Sequence, residues 1–293
     1  MHEMAMMIRT QFGEGDAIRD AGLTTPDDVE RFDDIAYGPD HDWQMLDVYR
    51  PKGADLPLPV IVSIHGGGWV YGDKDRYQWY CMSLAQRGFV VVNFTYRLAP
   101  EFQFPASMED TCMAFQWTVD HIAAYGGDVE HVFAVGDSAG GHMLGLFCNM
   151  CTNPTYAAEF DFAAPKGFVP TAVALNCGAF QIVVSDDPTD LTSALMGDYL
   201  PNGGDEHELD LVNVMPHVTA AFPPAYLMTC DGDFLHDAAE PMSKLLRELE
   251  VPHELHVYGG IEEPLGHVFH CNMKSEDARR CNDDECRFFK RFV

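Results

Sequence analysis

Basic residues are scarce in this chain of 293 residues, where 18 Lys and Arg stand against 46 Asp and Glu and the formal net charge is −28. A nucleic-acid backbone or an anionic membrane surface attracts proteins through Lys and Arg, so neither is expected as a partner. The 13 histidines add little positive charge at neutral pH. Neutral small molecules therefore suit this chain better than anionic ones.

Long apolar runs are also missing, since none reaches the roughly 20 residues that a transmembrane helix needs. Near the start, the only apolar patch covers residues 4–8, which is too short for the core of a signal peptide. These two absences predict a cytoplasmic protein.

A compact cysteine framework is absent as well. The cysteines number nine, an odd count, and they are scattered along the chain, so reduced thiols are expected rather than disulfides. Cys148 and Cys151 form a C-x-x-C pair, but no second pair with zinc spacing accompanies it. No metal site is predicted.

Short buried runs alternate with helical patterns through most of the chain. Residues 60–64 and 89–94 are continuous apolar segments rich in β-branched residues, typical of strands buried on both faces. Further strands are predicted at 34–37, 45–49, 132–135, 172–175, 225–229 and 254–258, and helices at 77–86, 106–125, from 139 onward, 238–249 and 275–292. This alternation predicts an α/β fold with a mostly parallel central sheet and helices on both faces.

The ends of this regular pattern suggest the domain organisation. Residues 1–32 are polar and mixed and are predicted to form an N-terminal arm, with a helix start after Pro26. Residues 33–293 are predicted to form one domain. Within it, residues 180–221 are irregular and are interpreted as a small cap-like insertion over the C-terminal edge of the sheet.

The pentapeptide GDSAG at residues 136–140 matches G-x-S-x-G and lies between a predicted strand and a predicted helix. A serine exposed at so sharp a turn needs small residues two positions before and after it, because larger side chains would collide with neighbouring backbone. An ordinary Gly-rich turn is the alternative. The strand-to-helix context favours Ser138 as a nucleophile.

A glycine run, HGGGW at residues 65–69, follows the predicted strand 60–64. Glycines leave backbone N–H groups uncovered, and such amides can stabilise the oxyanion that forms in acyl transfer. The run has neither the G-x-G-x-x-G pattern of dinucleotide sites nor the Lys-Ser/Thr ending of a P-loop. It therefore favours acyl transfer over nucleotide binding.

A general base and its acid are expected after the serine in the chain. His267 follows the last predicted strand and its loop, which would bring the imidazole over the sheet edge beside Ser138. The acid is expected where the preceding strand ends, and the segment 231–237 offers Asp231, Asp233 and Asp237.

Together these motifs resemble the hormone-sensitive-lipase-like and bacterial carboxylesterases of the α/β-hydrolase superfamily, from about residue 45 to the C-terminus. Further matching pieces are LDVYRP at 46–51, YRLAP at 96–100, FPA at 104–106 and GDSAGGH at 136–142. The resemblance implies the α/β-hydrolase fold, serine carboxylesterase activity and no cofactor. It also implies Asp233 as the acid and the amides of Gly67, Gly68 and Ala139 as oxyanion donors.

The substrate is predicted less directly than the reaction. A small insertion without a long apolar lid favours short-chain or small neutral esters. Candidates for lining the pocket are aromatic, each equally compatible with core packing: Trp69, Tyr71, Phe180 and Tyr199. An amidase or peptidase with the same triad, a non-catalytic ligand-binding relative and an interaction protein are the alternatives. The sequence does not determine the oligomeric state, and a homo-oligomer is one of the alternatives that stay open.

Overall fold

A single mixed sheet forms the centre of the computed structural model, which describes residues 2–55, 57–185, 187, 190–259 and 264–293. Its strands are β1 (Val29–Ala36), β2 (Met45–Pro51), β3 (Leu58–Ile64), β4 (Val90–Phe94), β5 (Gly127–Asp137), β6 (Val173–Asn176), β7 (Ala225–Cys230) and β8 (His253–Tyr258). They lie in the order β1-β2-β4-β3-β5-β6-β7-β8. The pairings β1–β2 and β2–β4 are antiparallel, and the other five are parallel. The predicted mostly parallel sheet is confirmed.

Helices cover both faces of this sheet. In the described part of the chain they are α1 (Glu3–Asp20), α2 (Lys74–Ala85), α3 (Ala106–His121), α4 (Ala139–Thr152), α5 (Pro154–Ala157), α6 (Leu191–Tyr199), α7 (Glu206–Val212), α8 (Ala239–Glu248) and α9 (Glu276–Phe289). Single 3-10 turns lie at Ile122–Tyr125, Met215–His217, His236–Ala238, Phe269–Cys271 and Lys290–Phe292. None of the described helices is long and apolar enough to span a membrane.

The alternation of side chains along β3 explains why two hydrophobic cores form. Val60, Val62 and Ile64 belong to the core on one face, and Ile61 belongs to the core on the other. Because successive residues of a strand point to opposite faces, a strand between two helical layers must be apolar throughout. That requirement accounts for the continuous apolar runs in the sequence.

The N-terminal region differs from the expectation. Residues 3–20 form α1, and no helix begins after Pro26, because β1 starts at Val29 instead. The antiparallel register pairs Val29 with Pro51 and Glu30 with Arg50, and the Arg50 guanidinium lies 2.8 Å from the Glu30 carboxylate. Pairing with β2 therefore overrides the local helix-start signal after Pro26.

The predicted insertion, residues 180–221, contains α6 and α7, and its residues 186, 188 and 189 lie outside the described part of the chain. It packs against α1. The imidazole Nδ1 of His2 lies 2.8 Å from Oδ1 of Asp198 in α6, and the Ala5 amide donates to the other oxygen of that carboxylate. The two segments expected to be an arm and a cap thus lie side by side.

Candidate active site

Ser138 occupies a sharp turn between β5 and α4, with a φ of 52° and a ψ of −119°. Left-handed backbone is unusual for a residue with a side chain and marks a strained position. The Ser138 amide donates to the carbonyl of Asn176, which ends the neighbouring strand β6, at 2.9 Å. A backbone hydrogen bond to the sheet therefore stabilises the strained conformation of Ser138.

The glycines that flank Ser138 leave no room for a side chain. A Cβ on Gly136 would lie 2.4 Å from the carbonyl oxygen of Gly140, and a Cβ on Gly140 would lie 2.1 Å from that of Ile64. Both distances are below any real contact between such atoms. The serine turn, residues 136–140, can adopt this shape only with glycine at these two positions.

His267 and Asp233 are joined by a hydrogen bond of 2.6 Å between Nδ1 and Oδ1. The Asp233 side chain is fully buried, whereas that of His267 retains 16% of its exposure. The carboxylate also accepts from the Thr229 hydroxyl at 2.8 Å and from the Leu235 amide at 2.9 Å. These bonds fix the orientation of the carboxylate and, through it, the imidazole.

The charge of Asp233 follows from these contacts. Burial alone would raise the pKa of Asp233, but the hydrogen bond and charge of His267, with the donors Leu235 and Thr229, lower it to about 2. The carboxylate is therefore ionised at neutral pH. It accepts the Nδ1 proton of His267 and leaves Nε2 of the neutral ring as the basic nitrogen.

Asp231, the other acid at the end of β7, has a different role. Its Oδ1 accepts from the Leu265 amide at 2.7 Å, while its own amide donates to the Tyr258 carbonyl. It ties together the loops that follow β7 and β8. Asp237 lies in the 3-10 turn after Asp233, where its carboxylate is fully exposed and contacts His236.

Close backbone contact places the His267 loop beside the end of β7. Gly232 and Gly266 form a parallel β-bridge, and the Gly232 amide donates to the Leu265 carbonyl at 3.0 Å. A Cβ on Gly232 would lie 2.6 Å from that oxygen. Glycine between Asp231 and Asp233 is therefore what allows the acid and the base to approach each other.

The glycine loop, residues 65–71, runs past the serine turn. Gly67 has a φ of 119° and Gly68 a φ of 61°, and a Cβ on Gly67 would lie 2.1 Å from the Tyr71 carbonyl oxygen. Within the described part of the chain, the amides of Gly67, Gly68 and Ala139 have no hydrogen-bond acceptor. They are the three amides that the resemblance implies as oxyanion donors.

His65 orients one of these amides. Its Nδ1 lies 2.8 Å from the Gly66 carbonyl oxygen, which can only accept, so the ring must donate from Nδ1. Burial lowers the pKa of His65 to about 4, and the ring is neutral at pH 7. Because a trans peptide directs its N–H opposite to its C=O, holding the Gly66 carbonyl also fixes the direction of the Gly67 N–H.

A cavity of about 300 Å³ lies beside the serine turn, the glycine loop and His267. Its wall includes Ser138, His267, Gly67 and Tyr71 of the predicted site residues. Gly66 and Asp137 of the two predicted motifs also line it, and residues that the sequence did not single out complete it: Gln11, Phe12, Gly15, Asp16, Arg19, Tyr77, Phe234 and Val268. One side of the candidate active site is thus built by α1.

Polar and aromatic contacts anchor α1 on this cavity. Tyr71 donates its hydroxyl to Asp16 at 2.8 Å and meets the Phe12 ring edge-on at 5.9 Å between centroids. Arg19 lies 2.8 Å from Asp16 and 2.7 Å from Asp20. On the opposite side, the Phe234 ring lies 4.2 Å from the His267 ring.

Three of the four aromatic candidates lie in the core instead. Among the described residues, Trp69, Phe180 and Tyr199 are not part of the cavity wall, and each is buried. Trp69 stacks on Tyr199 at 5.1 Å, and its indole N–H donates to Nδ1 of His142 at 3.1 Å. A positive φ of 63° at Trp69 accompanies this inward direction of its ring.

Two clusters of side chains in the described part of the chain could in principle hold a metal ion. Asp137, His270 and Cys271 form one, and Cys177, Asp233 and His267 form the other, with ligand atoms within 4.8 Å of one another. In each cluster the carboxylate already has a protein donor, the Tyr77 hydroxyl in the first and the His267 ring in the second. All nine cysteines are free thiols.

Sequence patterns carried little signal for α1, Tyr77 and Phe234. Phe12, Asp16 and Arg19 lie in a segment with weak helical patterning, and nothing in it pointed to the sheet edge. Asp137 could have been noticed, because it occupies the variable second position of G-x-S-x-G.

Comparison with known proteins agrees with this geometry. A sequence profile described as the alpha/beta hydrolase fold matches residues 61–271. The match covers most of the sheet, the glycine loop, the serine turn and His267. The chain belongs to the α/β-hydrolase family, which confirms the resemblance drawn from its motifs.

The curated relatives of this chain include a named esterase and a named ethyl acetate hydrolase. The chain is 28% identical over 227 residues to versiconal hemiacetal acetate esterase of Dothistroma septosporum, covering 73% of this chain and 68% of the relative. It is 33% identical over 169 residues to ethyl acetate hydrolase of Pseudomonas putida, covering 56% of this chain but only 47% of that relative. These matches support the predicted class, a carboxylic ester hydrolase.

A solved structure extends the likeness to the whole fold. The structure of esterase B of Lactobacillus rhamnosis inhibited by a tributyrin phosphonate has a TM-score of 0.87 and 26% identity to this chain. The alignment covers 99% of this chain and 95% of the other. The N-terminal helix and the region of α6 and α7 are therefore included in the structural match.

Proposed function

We propose that this protein is a serine carboxylesterase that hydrolyses short-chain or small neutral esters through an acyl-enzyme. The observation that carries the proposal is the 2.6 Å hydrogen bond between Asp233 and His267, beside a cavity whose wall includes both His267 and Ser138. An ionised, buried carboxylate behind a histidine, with a strained serine across the same cavity, is the arrangement that activates a serine hydroxyl.

In the proposed reaction, Ser138 Oγ attacks the ester carbonyl carbon while Nε2 of His267 takes the hydroxyl proton. The carbonyl π electrons move to oxygen, and the amides of Gly67, Gly68 and Ala139 stabilise the resulting oxyanion. Collapse of this intermediate breaks the bond to the alcohol, which leaves with the proton from His267. Water then repeats the sequence on the acyl-enzyme and releases the acid.

The size and chemistry of the cavity support small, neutral substrates. A volume of about 300 Å³ is at the lower end of the range for ligand pockets, roughly 300 to 1,000 Å³. Phe12, Tyr71 and Phe234 supply apolar wall surface. The net charge of −28 disfavours anionic esters.

The test compares wild-type protein with the Ser138→Ala variant on p-nitrophenyl acetate and on the matched amide, p-nitroacetanilide. Ester turnover that depends on Ser138 supports the proposal, and faster turnover of the amide would favour an amidase. Labelling with an organophosphate separates the remaining alternatives. If the wild-type protein gains no organophosphate mass at Ser138, a ligand-binding or interaction protein becomes the better reading.

A further inference from the structure

The Tyr77 hydroxyl touches two parts of the candidate active site at once. It donates to Oδ2 of Asp137 at 2.7 Å and accepts from the Gly66 amide at 3.0 Å. Asp137 belongs to the serine turn and Gly66 to the glycine loop. Because an amide can only donate here, the direction of both hydrogen bonds is determined: the tyrosine proton points to the carboxylate.

The sequence around Tyr77 explains how the ring reaches this position. Tyr77 lies in the first turn of α2, whose N-cap, Asp73, accepts from the Arg76 amide at 2.8 Å. The side chain is 7% exposed. Burial raises the pKa of Tyr77 well above its usual range, so the hydroxyl remains a donor at every pH at which the protein is active.

Steric contact makes the same junction tight. A Cβ on Gly66 would lie 2.6 Å from Oδ2 of Asp137 and 3.1 Å from the Tyr77 hydroxyl. The glycine loop and the serine turn are therefore in direct contact, and the Tyr77 hydroxyl lies between them, bonded to both. Among the described residues, Tyr77 is the acceptor for the Gly66 amide, which would otherwise be buried without one.

We propose that Tyr77 is a positioning residue that holds the glycine loop in register with the serine turn, so that the Gly67 and Gly68 amides meet the oxyanion formed at Ser138. The proposal rests on the proposed esterase function. It follows from the chain of contacts, since Tyr77 fixes the Gly66 N–H and His65 fixes the Gly66 carbonyl. Gly66 is thereby held at both its N–H and its C=O, and the peptide that follows it presents the Gly67 amide.

The test uses Tyr77→Phe, which removes one oxygen atom. Tyr49→Phe is the matched control, because the buried Tyr49 hydroxyl also donates to a buried carboxylate, that of Asp47, at 2.8 Å, in a strand away from the cavity. Loss of a whole oxyanion donor lowers kcat by about 10² to 10³, so misplacing one should lower it by roughly 10 to 100. We expect Tyr77→Phe to show that loss in kcat with KM changed less than about threefold, and Tyr49→Phe to keep wild-type kinetics.

A transition-state analogue distinguishes positioning from general destabilisation. A trifluoromethyl ketone gains a bond from Ser138 Oγ to its carbonyl carbon, its oxygen becomes the oxyanion, and the proton moves to His267. The inhibition constant of the ketone should increase in Tyr77→Phe by the same factor by which kcat/KM decreases. A variant with a lower Tm but unchanged kcat and unchanged ketone affinity would show that Tyr77 only stabilises the fold, and the proposal would be overturned.

Amide exchange tests the bridge without any need for activity. In wild-type protein labelled with 15N-glycine, the Gly66 amide should exchange with solvent much more slowly than the Gly67 amide, and Tyr77→Phe should remove that difference. Equal exchange at Gly66 and Gly67 in the wild type overturns the proposal, even if the variant does not fold. Slow Gly66 exchange in a protein without esterase activity would instead reject the proposed function and retain the bridge.

Discussion

His267 and Asp233 lie one hydrogen bond apart, 2.6 Å from Nδ1 to Oδ1, although 33 residues separate them in the chain. The contact depends on β7 and β8 being parallel neighbours, because the loops after the two strands then emerge at the same sheet edge. Gly232 and Gly266 bring the two loops into backbone contact. The sheet therefore sets the distance on which the proposed chemistry depends.

Replacing Ser138 with alanine should remove ester hydrolysis and leave the fold intact, because only Oγ is lost. Some catalysis should remain from the oxyanion donors, so we expect kcat to fall by about 10⁴ to 10⁶. Initial rates on p-nitrophenyl acetate measure the loss. Ser83→Ala, a buried serine of α2 whose hydroxyl bonds the Tyr80 carbonyl, is the control and should keep wild-type rates.

The two acids at the end of β7 should respond very differently to substitution by asparagine. Asp233→Asn keeps the shape of the side chain but favours the wrong tautomer of His267, a change that can lower kcat by up to about 10⁴. Asp231→Asn should lower it less than about tenfold, since Asp231 bonds the Leu265 amide and not the imidazole. Steady-state kinetics on both folded variants decide the matter, and the reverse ranking would show that Asp231 is the acid.

Acyl chains from acetyl to about hexanoyl should be cleaved faster than long ones. The cavity holds about 300 Å³, and a palmitoyl chain would leave most of its apolar surface in water. A series of p-nitrophenyl esters measured below their aggregation limits gives the profile. Faster turnover of the palmitoyl ester, with a jump in rate at an interface, would identify a lipase instead.

The strand-and-helix pattern could be predicted from the sequence because it reflects burial. β3 and β4 are apolar on both faces, and the glycines at 136 and 140 are required by backbone contacts of 2.4 Å or less. These constraints act on residue type at each position, so they are visible in a single chain. The placement of Ser138 and His267 at one sheet edge was predicted from the same pattern, because both follow parallel strands.

Long-range packing could not be predicted in this way. α1 has no local signal that places it on the cavity, since its position depends on contacts such as Tyr71 with Asp16 across 55 residues. Trp69 and Tyr199 were candidates for the pocket because aromatic residues suit either environment, and only their mutual stacking places them in the core. Side-chain direction at a positive-φ residue is set by the surrounding fold and not by its neighbours in sequence.

Asp137 should make the stability of the protein depend on pH in a direction opposite to Asp233. Burial raises the pKa of Asp137 to about 6, against the Tyr77 hydrogen bond, which lowers it. An unfolded aspartate titrates near 3.9, so the folded protein holds this proton more tightly, and stability is lost as the pH rises from about 4 to about 6. A difference of about two pKa units corresponds to roughly 3 kcal/mol in the free energy of unfolding.

The Asp137→Asn side chain cannot ionise, so the variant should not lose stability as wild type does when the pH rises from 4 to 7. The free energy of unfolding of the variant minus that of wild type should therefore increase by up to about 3 kcal/mol over this range, whatever the difference is at pH 4. Urea unfolding at several pH values measures this change. Asp233→Asn is the control with the opposite sign: the folded pKa of Asp233 is lowered to about 2, so wild type loses its stabilisation only as the pH falls from about 4 toward 2. Its deficit should therefore shrink as the pH falls from about 4 toward 2. A flat profile for Asp137→Asn from pH 4 to 7 would mean that the Asp137 carboxylate ionises in the folded protein as easily as in the unfolded chain.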